Sequence, residues 1–127
     1  MHATVIRSLF AWLLAVAAVY PSVGKARPTA RVNVPLNLTA TPVSVTSVAL
    51  TWRDDSDDET GFAIERRQGA GAFAQIRVVG GSLTEYLDAG LTPDVSYTYR
   101  VRALGTPSSA YSNEATSGTG IPDAVRV

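Results

Sequence analysis

Cysteine is absent from the 127-residue chain, and its one histidine is His2, near the N-terminus. No disulfide can staple the fold, so burial of apolar surface must hold it together, and thiol chemistry is excluded. Net charge is absent too. The 11 Lys and Arg residues balance 11 Asp and Glu, which leaves no general field to draw the chain onto nucleic acid or an anionic membrane. Beyond Pro35 no stretch keeps the i, i+3, i+4, i+7 spacing of an amphipathic helix for more than a turn. What the chain does have is 46% apolar residues, enough for one compact domain, set in short alternating runs between turn clusters.

Arg7 precedes an uncharged run from Leu9 to Tyr20, followed by Pro21 and the small residues Ser22 and Gly24. This is a secretory signal pattern, with cleavage expected after Gly24. The alternative is an uncleaved anchor. Twelve residues rise only about 18 Å as a helix, short of a hydrocarbon core roughly 30 Å thick, so length favours cleavage. With no cysteine after the run to carry a lipid, the expected location is secreted or periplasmic, off the membrane once the leader is gone. Residues 25–34, basic and small with proline, read as a linker. The domain is expected over 35–118, and 119–127 as a C-terminal tail.

Alternation is clearest at Ser47 to Arg53, where Val48, Leu50 and Trp52 share one face, and at Val95 to Ala103, where Tyr97, Tyr99, Val101 and Ala103 oppose Ser96, Thr98, Arg100 and Arg102. Phe62 to Arg67 places Phe62 and Ile64 opposite Glu65 and Arg67. Ala72 to Val79 follows a turn at Gly69 to Gly71. Weaker runs at Leu36 to Thr41, Leu83 to Leu87 and Tyr111 to Thr116 complete seven strands, a count and spacing that suit a β-sandwich. Its expected core is Leu50, Trp52, Phe62, Ile64, Leu91, Tyr97, Tyr99 and Val101. Trp52 is the chief anchor, since an indole of its size contributes on the order of 4 to 6 kcal/mol of transfer energy when buried.

The run Val48-Ala49-Leu50-Thr51-Trp52, then Gly61-Phe62-Ala63-Ile64-Glu65-Arg66, then Leu91-Thr92-Pro93, then Tyr97-Thr98-Tyr99-Arg100-Val101-Arg102-Ala103 resembles the fibronectin type III family, in the form found in secreted bacterial proteins. The resemblance spans about Pro35 to Gly118, and Tyr111 to Ala115 looks like the family's last strand. It implies a seven-stranded immunoglobulin-like β-sandwich. It also implies that Tyr97 is the tyrosine of a tyrosine corner, its ring near Leu91 and its hydroxyl bonded to backbone a few residues upstream. No Arg-Gly-Asp triplet is present, so the integrin-binding role of certain animal members does not carry over.

Catalysis has little to work with. Once His2 leaves with the leader, neither Ser/His/Asp nor Cys/His chemistry can be assembled, and no pair of carboxylates is set across a cleft. No catalytic residue and no cofactor are expected. Asp54, Asp55, Asp57, Asp58 and Glu59 crowd one loop and are weak candidates for a hard cation such as calcium. They lack the glycine-centred spacing of an EF-hand, and a solvated loop accounts for them as well. Arg53, Arg66, Arg67, Arg77, Arg100 and Arg102 include several at outward strand positions. They could meet an anionic glycan, or simply guard the sheet and cover apolar surface. Asn37-Leu38-Thr39 spells a glycosylation sequon, relevant only in a glycosylating host.

The expectation is a secreted, monomeric, non-catalytic module that binds an extracellular protein or polysaccharide through the loops Asp54 to Gly61 and Thr106 to Ser109, which the family topology brings to one end. The alternative is a spacer without a ligand, of the kind attached to secreted enzymes.

Overall fold

The computed structural model describes residues 31–119; the expected leader, most of the linker and residues 120–127 lie outside them. Seven strands run in chain order: β1 (Leu36–Ser44), β2 (Ser47–Arg53), β3 (Gly61–Gln68), β4 (Ala74–Gly80), β5 (Glu85–Asp88), β6 (Ser96–Leu104) and β7 (Ala115–Gly118). They form two antiparallel sheets, β1-β2-β5 and β4-β3-β6-β7. This is the all-β sandwich that the alternation implied.

The inward positions are those that carry bulk. Val48, Leu50 and Trp52 of β2 face Phe62 and Ile64 of β3 and Tyr97, Tyr99 and Val101 of β6, and these with Leu91 form one buried cluster. The Trp52 and Phe62 rings meet edge to face with centroids 5.5 Å apart, the geometry that the ring quadrupoles favour. The backbone N–H of Thr92 donates to the Tyr97 hydroxyl at 3.0 Å, which closes the tyrosine corner. Gly61 is required by close approach, since a Cβ there would sit 2.5 Å from the Val79 carbonyl oxygen across the β3–β4 pair.

Strand ends differ from the alternation at β7, which begins at Ala115 rather than Tyr111. Side chains replace the ladder there. Ser112 N–H donates to the Val101 carbonyl at 2.7 Å, while its hydroxyl accepts from Val101 N–H at 3.0 Å. The Asn113 amide bonds both the N–H and the carbonyl of Leu38, each at 3.0 Å, so a side chain joins the two sheets where a strand would have continued. At the other end Thr119, in the stretch read as tail, is fully buried. It donates to the Thr92 carbonyl at 2.7 Å and accepts from Val95 N–H at 3.2 Å.

One polar group sits between the sheets. Arg66 keeps the inward parity of Phe62 and Ile64, and its Nη1 reaches Asp88 Oδ1 at 3.1 Å and Oδ2 at 2.9 Å. Tyr99 donates its hydroxyl to the same Asp88 Oδ2 at 2.7 Å. Burial first, then the bond to Asp88, pushes the Tyr99 phenol far above its ordinary value. Burial would lower the Arg66 guanidinium, but Asp88 beside it holds the charge in place and raises it. Asp88 belongs to β5, Arg66 to β3 and Tyr99 to β6, so the three clasp one sheet to the other.

Candidate functional site

The loop at residues 54–60 joins β2 to β3, and that at 105–114 joins β6 to β7. Both emerge at the same end of the sandwich, where Thr60 N–H donates to the Leu104 carbonyl at 2.9 Å. A third piece of chain ties into them. Asn33 N–H donates to Ser56 Oγ at 2.7 Å, the Asn33 amide donates to the Asp55 carbonyl at 2.7 Å, and Ser56 Oγ returns a bond to the Asn33 carbonyl at 3.0 Å. Val32 packs on Gly105 so closely that any side chain at 105 would strike it. The second loop is pinned by its own hydroxyls: Ser109 Oγ accepts from Ala103 N–H at 2.9 Å, and Ser108 Oγ accepts from Gly105 N–H at 3.3 Å. Between residues 31–33 and 106–110 lies a half-open cleft of about 530 Å³.

The acidic loop turns its carboxylates to different tasks. Asp54 Oδ1 accepts from Ser56 N–H at 2.9 Å, a local turn that begins the loop. Burial first, then the neighbouring Asp54 and Asp57, raise the Glu59 carboxyl above its ordinary value. Among the described residues no three His, Cys, Asp or Glu side chains are grouped as a metal ion would need; of the five candidates Asp55, Asp57 and Asp58 face solvent, while Asp54 and Glu59 are half-buried.

The arginines divide by face. Arg66 serves the inner clasp, while Arg53 and Arg77 are exposed at other places. Arg67, Arg100 and Arg102 share the outer face of the four-stranded sheet with two rings. The Arg100 guanidinium lies between Phe73 and Tyr111, 4.1 Å and 3.9 Å from their centroids. Arg102 lies 5.0 Å from the Tyr111 centroid and Arg67 4.8 Å from that of Phe73. Glu65, registered directly opposite Arg100, binds its Nε at 2.9 Å and its Nη2 at 2.7 Å, and accepts the Tyr111 hydroxyl on its other oxygen. Burial alone would lift the Glu65 carboxyl, but Tyr111 and Arg100 hold it below its ordinary value. Arg67 pairs with Glu114 at 3.2 Å.

Alternation foretold Glu65, Arg67, Arg100 and Arg102 on a common side. Phe73 and Tyr111 fell inside the strands expected at Ala72 to Val79 and Tyr111 to Thr116, whereas the structure leaves both just outside β4 and β7, so the side they would take could not be read from strand parity. Asn33 was also missed, because nothing in a basic, proline-bearing stretch marks one residue as pinned.

A sequence model described as the fibronectin type III domain matches residues 33–117. The chain belongs to the fibronectin type III family. Among curated relatives, an alpha-amylase of Niallia circulans is 34% identical over 90 residues, covering 68% of this chain and 6% of the amylase. The receptor-type tyrosine-protein phosphatase F of Bos taurus is 33% identical over 101 residues, covering 70% of this chain and 5% of the phosphatase. The chain thus spans a small fraction of the length of the relatives it matches. Among solved structures, titin domains A168–A170 superpose with a TM-score of 0.64 at 26% identity, over 72% of this chain and 34% of theirs. The FN5 domain of Drosophila Lar superposes with a TM-score of 0.59 at 23% identity, over 72% of this chain and all of its own length, a likeness of fold alone. In this family the fibronectin type III domain is a non-catalytic module, and the enzyme-named relatives carry it as an accessory part.

Proposed function

We propose that this fibronectin type III domain is an exported, non-catalytic interaction module that presents its loop end to an extracellular protein or polysaccharide. The observation that carries the reading is the cleft of about 530 Å³ whose rim is fixed by hydrogen bonds from both sides. Loops held this way lose little entropy on binding, which is why contacts concentrate on loops of rigid scaffolds. Export is supported by the leader pattern at residues 1–24, and no cofactor is invoked. A second reading is favoured by Asn33: its clamp on Asp55 and Ser56 fixes how the preceding chain enters the domain, as a spacer that sets orientation would need.

The two readings separate by immobilising the full chain and offering it glycan arrays and extracellular material of its host. A module gives saturable retention that Asp55→Ala with Asp57→Ala and Asp58→Ala weakens by about tenfold, the scale of lost interfacial charge contacts. Absence of any partner at micromolar concentration overturns the binding reading and leaves the spacer.

A further inference from the structure

Arg67, Arg100 and Arg102 are ordered before any ligand arrives. The Phe73 and Tyr111 rings and the Glu65 carboxylate fix the guanidinium of Arg100, and the neighbours are stacked on the same rings. Yet 33% of the Arg67 side chain and 28% of the Arg100 side chain remain in solvent. Their central counter-charge, Glu65, is only 13% exposed and so lies largely beneath them. Three arginines against the covered Glu65 and the 48%-exposed Glu114 leave the face an excess of one positive charge.

We propose that this outer face of the four-stranded sheet binds an acidic polysaccharide, with Arg67, Arg100 and Arg102 as the contact residues. Glu65 takes the Nε and Nη2 of Arg100, and the Nε of Arg67 and of Arg102 is buried, so a carboxylate or sulfate meets the Nη ends of the guanidiniums, which can still donate to two oxygens. Arg100 and Arg102 lie two apart on one strand, which sets them about 6.6 to 6.8 Å apart along it and repeats the site for a polymer. Neutral sugars bind by stacking on ring faces, but Phe73 and Tyr111 each already carry two guanidiniums. Of the exposed large apolar side chains among the described residues, only Val78 shares this sheet, in the row Val78–Ala63–Arg102, and one valine is a smaller anchor for a protein partner than the large side chains that dominate such interfaces. What remains is a polar polymer bearing negative charge. Because the chain as a whole carries no net charge, the attraction is local and is screened by salt.

The proposal rests on reading the domain as a binding module but uses other residues than the loop end. The test is affinity electrophoresis of the full chain at low ionic strength in gels containing polygalacturonate, dextran or polyglutamate. Retardation is expected in polygalacturonate and not in dextran. Arg102→Gln should weaken it about fivefold, and Arg53→Gln, the same charge change at an exposed site elsewhere, by less than about twofold. Unchanged thermal midpoints exclude unfolding as the cause. Equal effects of the two substitutions, equal retardation in dextran, tighter binding to polyglutamate, or no retardation at all would each overturn the assignment. If retardation is lost instead in the Asp55, Asp57 and Asp58 variants and kept in Arg102→Gln, the loop end is the binding surface and the sheet face is not.

Discussion

Adjacent residues of β3, Glu65 and Arg66, open two networks on opposite faces of one sheet, each built from an arginine, a tyrosine and a carboxylate. Inside, Arg66 and the Tyr99 hydroxyl converge on Asp88. Outside, Arg100 and the Tyr111 hydroxyl converge on Glu65. Both arginines also lie against rings: Arg66 is 5.3 Å from the Tyr97 centroid, and Arg100 is sandwiched more closely. The difference is what each carboxylate connects. Asp88 comes from the opposite sheet, so the inner group closes the sandwich. Glu65 belongs to the sheet it decorates, so the outer group orders a surface. The arginines are exposed to the same degree, 30% of the side chain for Arg66 and 28% for Arg100, so it is topology, the sheet from which each carboxylate comes, that separates the two groups.

The two networks part most clearly at their carboxylates. Asp88→Asn leaves the Arg66 guanidinium and the Tyr99 hydroxyl facing a neutral amide between the sheets. Removal of one partner from a buried ion pair costs about 3 to 5 kcal/mol; the low end, about 3 kcal/mol, applies because 30% of the Arg66 side chain still meets solvent. Glu65→Gln, on the wetter face, should cost about 1 kcal/mol. Equilibrium urea unfolding measures both. Equal losses would mean that the outer network holds the fold as firmly as the inner one, and the distinction between clasp and surface would fall.

Much of this architecture was legible from parity. Trp52 and Tyr97 face inward because their strands alternate cleanly, and the tyrosine corner followed from the family resemblance. Arg66 was harder. Its parity with Phe62 and Ile64 says inward while its charge says outward, and the conflict resolves only through Asp88, a residue 22 positions away on a four-residue edge strand. A buried charge is legible only together with its partner, and pairing across sheets leaves no local trace. The same holds at the loop end. Both loops could be placed at one pole by topology, but the part played by residues 31–33 could not, because it depends on a short side chain reaching a backbone carbonyl in three dimensions.

Acid separates the two faces by a different route. Glu65 titrates below its ordinary value of 4.5 in the folded chain, so the unfolded chain binds its proton first. Its contribution is therefore complete above about pH 4.5 and is lost as pH falls through the folded value. The tyrosines run the other way. The Tyr99 and Tyr111 phenols are raised from 10.0, so what they contribute is present below that pH and lost as pH climbs through their folded values. Stability of the parent should decline with acid from about pH 4.5 downward, and Glu65→Gln should flatten that limb of a pH series of denaturation midpoints. A limb as steep in the variant as in the parent would move the acid sensitivity away from the outer face.

The smallest effect is expected at the margin of the outer network. Arg67 and Glu114 meet at 3.2 Å with side chains 33% and 48% exposed, and ion pairs this wet contribute little once ordering and screening are counted. Glu114→Gln should cost under about 0.5 kcal/mol by itself. The informative measurement is the double substitution with Glu65→Gln, because residues in one network need not add. Additivity within about 0.3 to 0.5 kcal/mol would mean that the stack of Arg67, Phe73, Arg100 and Tyr111 is a row of independent contacts. A double variant that loses clearly less than the sum would mean that removing either carboxylate already loosens the shared stack, and the outer face would then behave as a single element, as the inner clasp does.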